Sequence, residues 1–277
     1  MTILVFDSGV GGLSILREVR VILPGRRIVY VGDDAGFPYG DWPEAPLVER
    51  IVGLFKRCLD TFNPSLAIVA CNTASTLIMP ALRKRFEIPF VGTVPPIKPA
   101  AERTASGMIS VLATPGTVQR PYVARLIEEH ADTCDVTLIG STRLARLAEQ
   151  HMRGLPVDHE RLAEEIRPCF LERGERRTDI VILGCTHYPF LVHEMRKLAP
   201  WPVDWLEPAE AIARRSLSLI GHVDERNFSD PELAPDIALM TRGKPDAPLR
   251  RLLSGFGLQA RDPIDALASF RDRQAVV

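Results

Sequence analysis

The sequence predicts an α/β protein of two pseudo-symmetric lobes, each a mainly parallel sheet flanked by helices. Three observations lead to this prediction: short apolar runs recur along the chain, amphipathic segments separate them, and parts of the first half match parts of the second. Strands of a parallel sheet are covered on both faces, so they appear as near-continuous apolar runs. Such runs lie at residues 3–6, 28–31, 66–70, 108–112, 136–138 and 180–183.

The segment between the second and third runs predicts an amphipathic helix. Its apolar residues recur at spacings of three and four, which places them on one helical face. Cys58 belongs to this set, so we expect it in the core rather than in a reactive site. The apolar residues are Leu47, Ile51, Leu54, Phe55, Cys58, Leu59 and Phe62.

A weak internal repeat predicts the division into lobes. Residues 3–9 align with 109–115, and residues 68–73 align with 182–187 at a similar separation. A proline-rich stretch at 94–99 is typical of a crossing between lobes, and we expect the chain to return at 206–208. The predicted first lobe is therefore 1–94 plus 207–277, on the Asp7 and Cys71 side. The predicted second lobe is 95–206, on the Cys185 and His187 side.

Composition and charge exclude several classes of protein. The chain has 277 residues, 25% of them charged, and a formal net charge of −1, so it carries no electrostatic footprint for nucleic acid or an anionic membrane. It has no apolar stretch of membrane-spanning length and no signal peptide. We therefore expect a cytoplasmic protein that binds a small molecule, with no nucleic-acid or membrane partner. The five cysteines form no Cys-x-x-Cys pair, which favours free thiols over disulfides or a zinc site.

The glycine-rich segment from Asp7 to Gly12 follows the first predicted strand and precedes a helix expected to begin near Leu13. We expect its glycines to permit positive φ angles and close backbone approach, and its N–H groups to bind an anion, a carboxylate above all. The segment lacks the third glycine of a dinucleotide-binding fingerprint and the lysine of a phosphate loop. The alternative is a tight turn in which Asp7 only caps the helix.

Cys71 and Cys185 each close a predicted strand, at equivalent positions of the repeat. A single cysteine after an apolar run is usually an inert buried thiol, but two at equivalent positions indicate a shared role. We expect each to precede a helix whose N–H groups favour the thiolate. Inverting an α-carbon requires one deprotonated and one protonated group on opposite faces, and a thiol with a pKa of about 8.5 suits both roles.

Each thiol has a candidate proton partner. Asp7 lies beside Cys71 if the first and third predicted strands are neighbours. His187 follows Cys185 by two residues, with Glu149 as a further partner; the alternative is a histidine satisfied by a backbone carbonyl. In the turn at 37–41, Tyr39 and the backbone of Gly40 are placed to close over a small polar ligand, unless this is an ordinary surface turn.

Four segments together, 6–13, 38–40, 70–75 and 183–189, closely resemble the glutamate racemase family in order and spacing. The resemblance implies a homodimeric racemase with its active site between the two lobes and with neither pyridoxal phosphate nor metal. The implied role is to supply D-glutamate for peptidoglycan. It implies that Cys71 takes the proton from D-glutamate and Cys185 takes it from L-glutamate, with an acidic residue, matched by Glu149, near the second thiol. By the same resemblance, the substrate contacts are Asp7, Ser8, Tyr39, Gly40, Asn72, Thr73, Thr117, Thr186 and His187.

The chain departs from the family pattern in the loop after Gly40 and in the crossing segment at 94–97. Residues 41–43 read Asp-Trp-Pro, where a basic residue and a serine are expected, and residues 94–97 lack an acidic residue that is often present there. Residues 222–277 are too divergent to align. Two other functions stay open: an aspartate or hydantoin racemase, which would also keep two cysteines, and a non-catalytic binding module in which both cysteines are structural.

Overall fold

A computed structural model describes residues 1–221 and 234–263 of the chain. Their strands are β1 (Thr2–Asp7), β2 (Arg27–Gly32), β3 (Leu66–Val69), β4 (Phe90–Gly92), β5 (Met108–Ala113), β6 (Asp135–Gly140), β7 (Glu172–Arg173), β8 (Arg176–Arg177), β9 (Ile180–Gly184), β10 (Asp204–Leu206), β11 (Ile237–Met240) and β12 (Gln259–Arg261). Their α-helices are α1 (Leu13–Ile22), α2 (Glu44–Phe62), α3 (Asn72–Arg85), α4 (Ile97–Arg103), α5 (Pro115–Val118), α6 (Pro121–His130), α7 (Leu144–Met152), α8 (His159–Ile166), α9 (Val192–Leu198), α10 (Ala209–Ile220) and α11 (Ala247–Gly255).

Two parallel sheets carry the fold. The first has the strand order β12-β11-β2-β1-β3-β4, and the second has the order β10-β9-β5-β6. The pairings within both sheets are parallel, as βαβ connections require. The predicted fold class, two lobes with mainly parallel sheets flanked by helices, is confirmed.

The two sheets repeat one topology. The order β2-β1-β3-β4 in the first sheet corresponds to β6-β5-β9-β10 in the second, with the chain visiting the strands in the same sequence. In this correspondence β3 is equivalent to β9, so Cys71 and Cys185 follow equivalent strands. The lobe boundaries at 94/95 and 206/207 stay predictions, and residues 222–233 and 264–277 of the predicted first lobe lie outside the described residues.

Both faces of the first sheet are buried, which explains the uninterrupted apolar runs. Ile3 and Val5 of β1 pack on one face with α1 and α10, while Leu4 and Phe6 pack on the other with α2 and α3. Each such side chain contributes about 1.5–3 kcal/mol when it is fully buried. The expected helix is α2, and Cys58 lies in its buried stripe, where burial raises the pKa of the thiol to about 12. Cys58 is therefore a core residue, as predicted.

Three features of the fold differ from the sequence-based expectation. Strands β4, β10 and β12 have three residues each, and the antiparallel hairpin β7-β8 has two-residue strands. Runs this short give no recognisable pattern. Residues after Cys185 enter a 3₁₀ turn at Tyr188–Leu191 before α9, so the prediction that an α-helix opens directly at Cys185 is wrong.

Over the residues described, none of the helices is long and apolar enough to cross a membrane.

Candidate active site

The candidate residues meet where the carboxyl ends of the two sheets face each other. Asp7 is the last residue of β1, Cys71 follows β3 and begins α3 as its N-cap, and Cys185 follows β9. Parallel sheets bind ligands at this edge, because the loops that follow their strands converge there.

Asp7 is fully buried and links the two sheets. One carboxylate oxygen, Oδ2, accepts a hydrogen bond from the Gly9 N–H at 2.8 Å, and the other, Oδ1, accepts one from the Thr186 hydroxyl at 3.2 Å. Burial raises the pKa of Asp7 above its ordinary value, although His187 and the N–H of Gly9 partly oppose this effect. The carboxylate is therefore a stronger base than an exposed aspartate.

Cys71 lies beside Asp7, as expected from the pairing of β1 with β3. Its side chain is 6% exposed, and its thiol donates to the Ser8 hydroxyl over 3.7 Å. Burial raises the pKa of Cys71, the negative charge of Asp7 raises it further, and the Ala74 N–H and Ser8 only partly oppose them. The surroundings of Cys71 therefore favour the protonated thiol.

Cys185 has an imidazole as its neighbour. Its Sγ lies 3.8 Å from Nδ1 of His187, and Nε2 of His187 lies 3.0 Å from Oε1 of Glu149. These three residues form a chain of contacts from the thiol to a carboxylate on α7. The alternative that His187 is satisfied by a backbone carbonyl is wrong, because a side-chain carboxylate holds its ring.

The charges in this chain reinforce one another. Burial alone would lower the pKa of His187, but hydrogen bonds to Cys185 and Glu149 and the charge of Asp7 outweigh it and hold the pKa well above its usual value. Burial would raise the pKa of Glu149, but His187, the Val10 N–H and Arg153 bring it below its usual value. The pair therefore favours an imidazolium beside a carboxylate.

The glycine-rich segment fits around this pair. None of Gly9, Gly11 and Gly12 lies in the left-handed region, so the prediction of positive φ angles is wrong. A Cβ at Gly9 would overlap the Glu149 carboxylate, and one at Gly11 would overlap the His187 ring. The N–H of Val10 binds a carboxylate, as an anion site would, but that carboxylate is Oε1 of Glu149 at 2.8 Å. The predicted close approach, and not conformational freedom, therefore requires glycine here.

Three threonine hydroxyls join the sheets on the other side of the site. Thr73 from α3 lies 2.9 Å from Thr114 and 3.3 Å from Thr117, and the last two lie 3.0 Å apart. These are distances between side-chain oxygens, each of which can donate or accept. The cluster places the expected contact Thr117 next to the expected contact Thr73.

Asn72 has a buried side chain without partners. It is 2% exposed, and neither its Oδ1 nor its Nδ2 has a hydrogen-bond partner. An unpaired buried polar atom costs about 1–3 kcal/mol, so such atoms usually mark a missing ligand or water. Asn72 is the side chain in this site that most needs a polar ligand.

Tyr39 and Gly40 lie in a 3₁₀ turn at Tyr39–Asp41. The Tyr39 hydroxyl donates to Oδ2 of Asp33 at 2.7 Å, so it is already engaged, while the Cα of Gly40 faces open space. Asp33 also binds the Arg50 guanidinium at 2.7 Å and 2.5 Å and accepts from Thr241 at 2.5 Å. Sequence reasoning missed Asp33, although its position directly after β2 places it at the same edge as Asp7.

Across residues 1–221 and 234–263, no three histidine, cysteine or acidic side chains cluster in a way that could hold a metal ion.

The chain is similar to known proteins over most of its length. Residues 36–215 match the family model for Asp/Glu/hydantoin racemases. The chain is 60% identical to a glutamate racemase of Mesorhizobium japonicum over 94% of this chain and 98% of that protein. It is 56% identical to one of Brucella ovis over 93% of this chain and 92% of that protein.

Solved structures show the same fold. A glutamate racemase of Escherichia coli, in complex with L-glutamate and the activator UDP-MurNAc-Ala, superposes with a TM-score of 0.84 at 40% identity, covering 94% of this chain and 96% of that one. A glutamate racemase of Bacillus anthracis superposes with a TM-score of 0.76 at 26% identity, with the same two coverages. The likeness therefore extends over nearly the whole chain, not only the motifs.

Proposed function

This chain belongs to the Asp/Glu/hydantoin racemase family, among its glutamate racemases, and from that premise we propose that it interconverts L- and D-glutamate by proton transfer between two thiols. The observation that carries the proposed mechanism is the placement of Cys71 and Cys185 after equivalent strands of two facing sheets. A substrate bound between the lobes, which we take as 1–94 plus 207–277 and 95–206, has one thiol on each face of its α-carbon.

In the direction from L- to D-glutamate, Cys185 acts as a thiolate and takes the α-proton. The C–H electron pair stays on the α-carbon as a carbanion, and the Cys71 thiol then delivers its proton to the opposite face. Cys71 ends as a thiolate and Cys185 as a thiol. The reverse direction uses the same groups with their roles exchanged.

The neighbours of each thiol suit this exchange. His187, with its raised pKa, is placed to hold the proton that Cys185 releases before it acts as a base. Glu149 supports the resulting imidazolium, as a carboxylate does in other imidazole relays. On the other side Asp7, also with a raised pKa, is placed to receive a proton from Cys71.

The substrate contacts follow from the unsatisfied and clustered polar groups. The Asn72 amide and the hydroxyls of Ser8, Thr73, Thr117 and Thr186 offer hydrogen bonds to the two substrate carboxylates. The Asp7 carboxylate suits the substrate ammonium group. Tyr39 and Gly40 contribute through their backbone, because the Tyr39 hydroxyl already binds Asp33.

We further propose that the reaction needs neither pyridoxal phosphate nor a metal, because two thiols supply both proton transfers. D-glutamate made in this way would serve peptidoglycan synthesis in the cytoplasm. The near-neutral net charge of −1 fits a protein without nucleic-acid or membrane partners. The proposal of a homodimer rests on the likeness to the family alone.

The direct test of the function is to incubate the purified protein with L-glutamate, without added cofactor, and to follow D-glutamate by chiral chromatography. We expect a racemic end point from either enantiomer and little inversion of aspartate. Inversion of aspartate but not glutamate would overturn the substrate assignment. Absence of inversion with any of these acids would favour the non-catalytic binding module.

A further inference from the structure

Arg153 caps the C-terminal end of α7 and lies one helical turn after Glu149. On the basis of the proposed function, we infer that Arg153 is a positioning residue for the Cys185 half of the site, which acts by holding and neutralising the outer oxygen of Glu149. It touches neither thiol, so its effect passes through Glu149 to His187.

The two oxygens of Glu149 have separate partners. Oε1 accepts from the Val10 N–H at 2.8 Å and lies 3.0 Å from the His187 ring. Oε2 faces Nε of Arg153 at 3.8 Å, an ion pair rather than a hydrogen bond. One oxygen is therefore turned to the reacting half of the site, and the other is turned to the arginine.

The position of Arg153 is determined by its backbone N–H and by contacts of its guanidinium with Glu149 and Asp246. Its N–H bonds to the carbonyls of Glu149 and Gln150 at 3.2 Å and 3.1 Å, closing α7. Its Nη1 lies 3.3 Å from Oδ2 of Asp246. The other oxygen of Asp246 caps α11 by accepting from the Leu249 N–H at 2.9 Å. The guanidinium thus joins α7 of the second sheet to α11 of the first.

The cation also adjusts the field on His187. Without it, the Glu149 carboxylate would stabilise the imidazolium more strongly, and His187 would release its proton less readily. Other charged and titratable groups face Glu149 and His187 from the neighbouring elements. They are Asp7 of β1, Tyr30 of β2, Asp34 in the loop after β2, Cys185 after β9, and Arg242 and Asp246 between β11 and α11.

The test compares Arg153→Met with Arg153→Lys and Asp246→Asn. The Met variant removes the charge, the Lys variant keeps it, and Asp246→Asn breaks the link to α11 while asparagine still caps that helix. Arg153→Gln repeats the neutral substitution with a polar side chain, in case Met disturbs folding. For each variant, kcat/KM is measured with L-glutamate, and the His187 pKa is followed by NMR of its ring, assigned with His187→Asn.

We expect Arg153→Met and Arg153→Gln to lower kcat/KM about fivefold and to raise the His187 pKa by about half a unit, the scale of a partly exposed ion pair. Arg153→Lys and Asp246→Asn should stay within about twofold of the wild type with the pKa unchanged. An unchanged His187 pKa in both neutral variants, or an Asp246→Asn variant that matches them, would overturn the inference. A wild type that does not racemise glutamate would instead overturn the proposed function.

Discussion

The two halves of the site come from equivalent strands but surround their thiols differently. Burial and the negative charge of Asp7 favour the protonated form of Cys71, and the Ser8 hydroxyl only partly opposes them. Cys185 lies against an imidazole whose raised pKa is supported by Glu149. The backbone is symmetric and the proton partners are not. The proposed two-thiol mechanism uses this combination, because it places its two groups at equivalent positions and requires them to be in opposite protonation states before each turnover.

In the proposed mechanism, this asymmetry sets the protonation states before the reaction. With Cys71 as a thiol and a proton held by His187, the site is prepared to take the α-proton of L-glutamate and to deliver a proton to the opposite face. After one such turnover the states are exchanged, and protons must return through Asp7 and His187 before the next L-glutamate reacts.

Removing either thiol should have the largest effect. Cys71→Ala and Cys185→Ala are each expected to lower kcat by at least about 1000-fold, because one face of the α-carbon then lacks its acid or base. Cys134→Ala is the matched control, because Cys134 is a free, half-buried thiol packed against a different core cluster. Near-normal turnover by either of the first two variants would contradict the two-thiol mechanism.

Removing the imidazole tests the Cys185 half alone. His187→Asn should lower kcat/KM about 100-fold, and Glu149→Gln about tenfold, since the ring is still present in the second variant. The enantiomers have equal free energies, so kcat/KM must fall equally in both directions. The asymmetry should appear as unequal changes in kcat and KM for L- and D-glutamate. Equal changes for both substrates would show that the two halves act alike.

A methyl group at Gly11 tests whether the close contact between the Gly11 backbone and the His187 ring is needed for activity. Gly11→Ala should lower kcat/KM about tenfold, because the new Cβ would overlap the ring and displace it. Gly53→Ala is the control, since its Cβ would lie 3.7 Å from Arg57 Nη1, at ordinary contact distance. That variant should keep full activity and gain up to about 1 kcal/mol in unfolding free energy from reduced chain entropy. Wild-type kinetics for Gly11→Ala would contradict the close-approach account.

The pH dependence of stability should show the smallest effect. His187 keeps its proton to a higher pH in the folded protein than in the unfolded chain, where the pKa of histidine is about 6.5. The resulting contribution to stability is fully present below about pH 6.5 and is lost as the pH rises towards the raised pKa of His187 in the folded state. The Tm difference between wild type and His187→Asn should therefore shrink by about 3 °C between pH 6 and pH 9. A constant difference in thermal scans would show that the imidazole is not preferentially charged.

The sequence was sufficient for the features that depend on pattern. Six apolar runs predict the six strands β1, β2, β3, β5, β6 and β9. All of these except the half-exposed edge strand β6 are buried on both faces, so no polar alternation obscures their apolar runs. The repeat predicts equivalent positions for Cys71 and Cys185. Both predictions depend on segments long enough to carry a period.

The remaining features of the site depend on contacts between residues far apart in the sequence, which no local pattern records. Gly9 and Gly11 are recognisable as special, but only the structure shows that Glu149 and His187, more than 130 residues away, occupy the space of a side chain. The engagement of Tyr39 by Asp33, and the absence of partners for Asn72, are equally invisible in the sequence. The short strands β4, β10 and β12 form only because longer neighbours pair with them.

The most direct test of two opposed thiols is the fate of the α-proton in deuterated water. The protein is incubated with L-glutamate, and both enantiomers are separated and analysed by mass spectrometry at low conversion. The two-thiol mechanism predicts one deuterium at the α-carbon of D-glutamate, because Cys71 delivers a solvent-derived proton, while unreacted L-glutamate stays unlabelled. D-glutamate that retains the original α-proton would mean that a single group removes and returns this proton, and it would contradict the two-thiol mechanism.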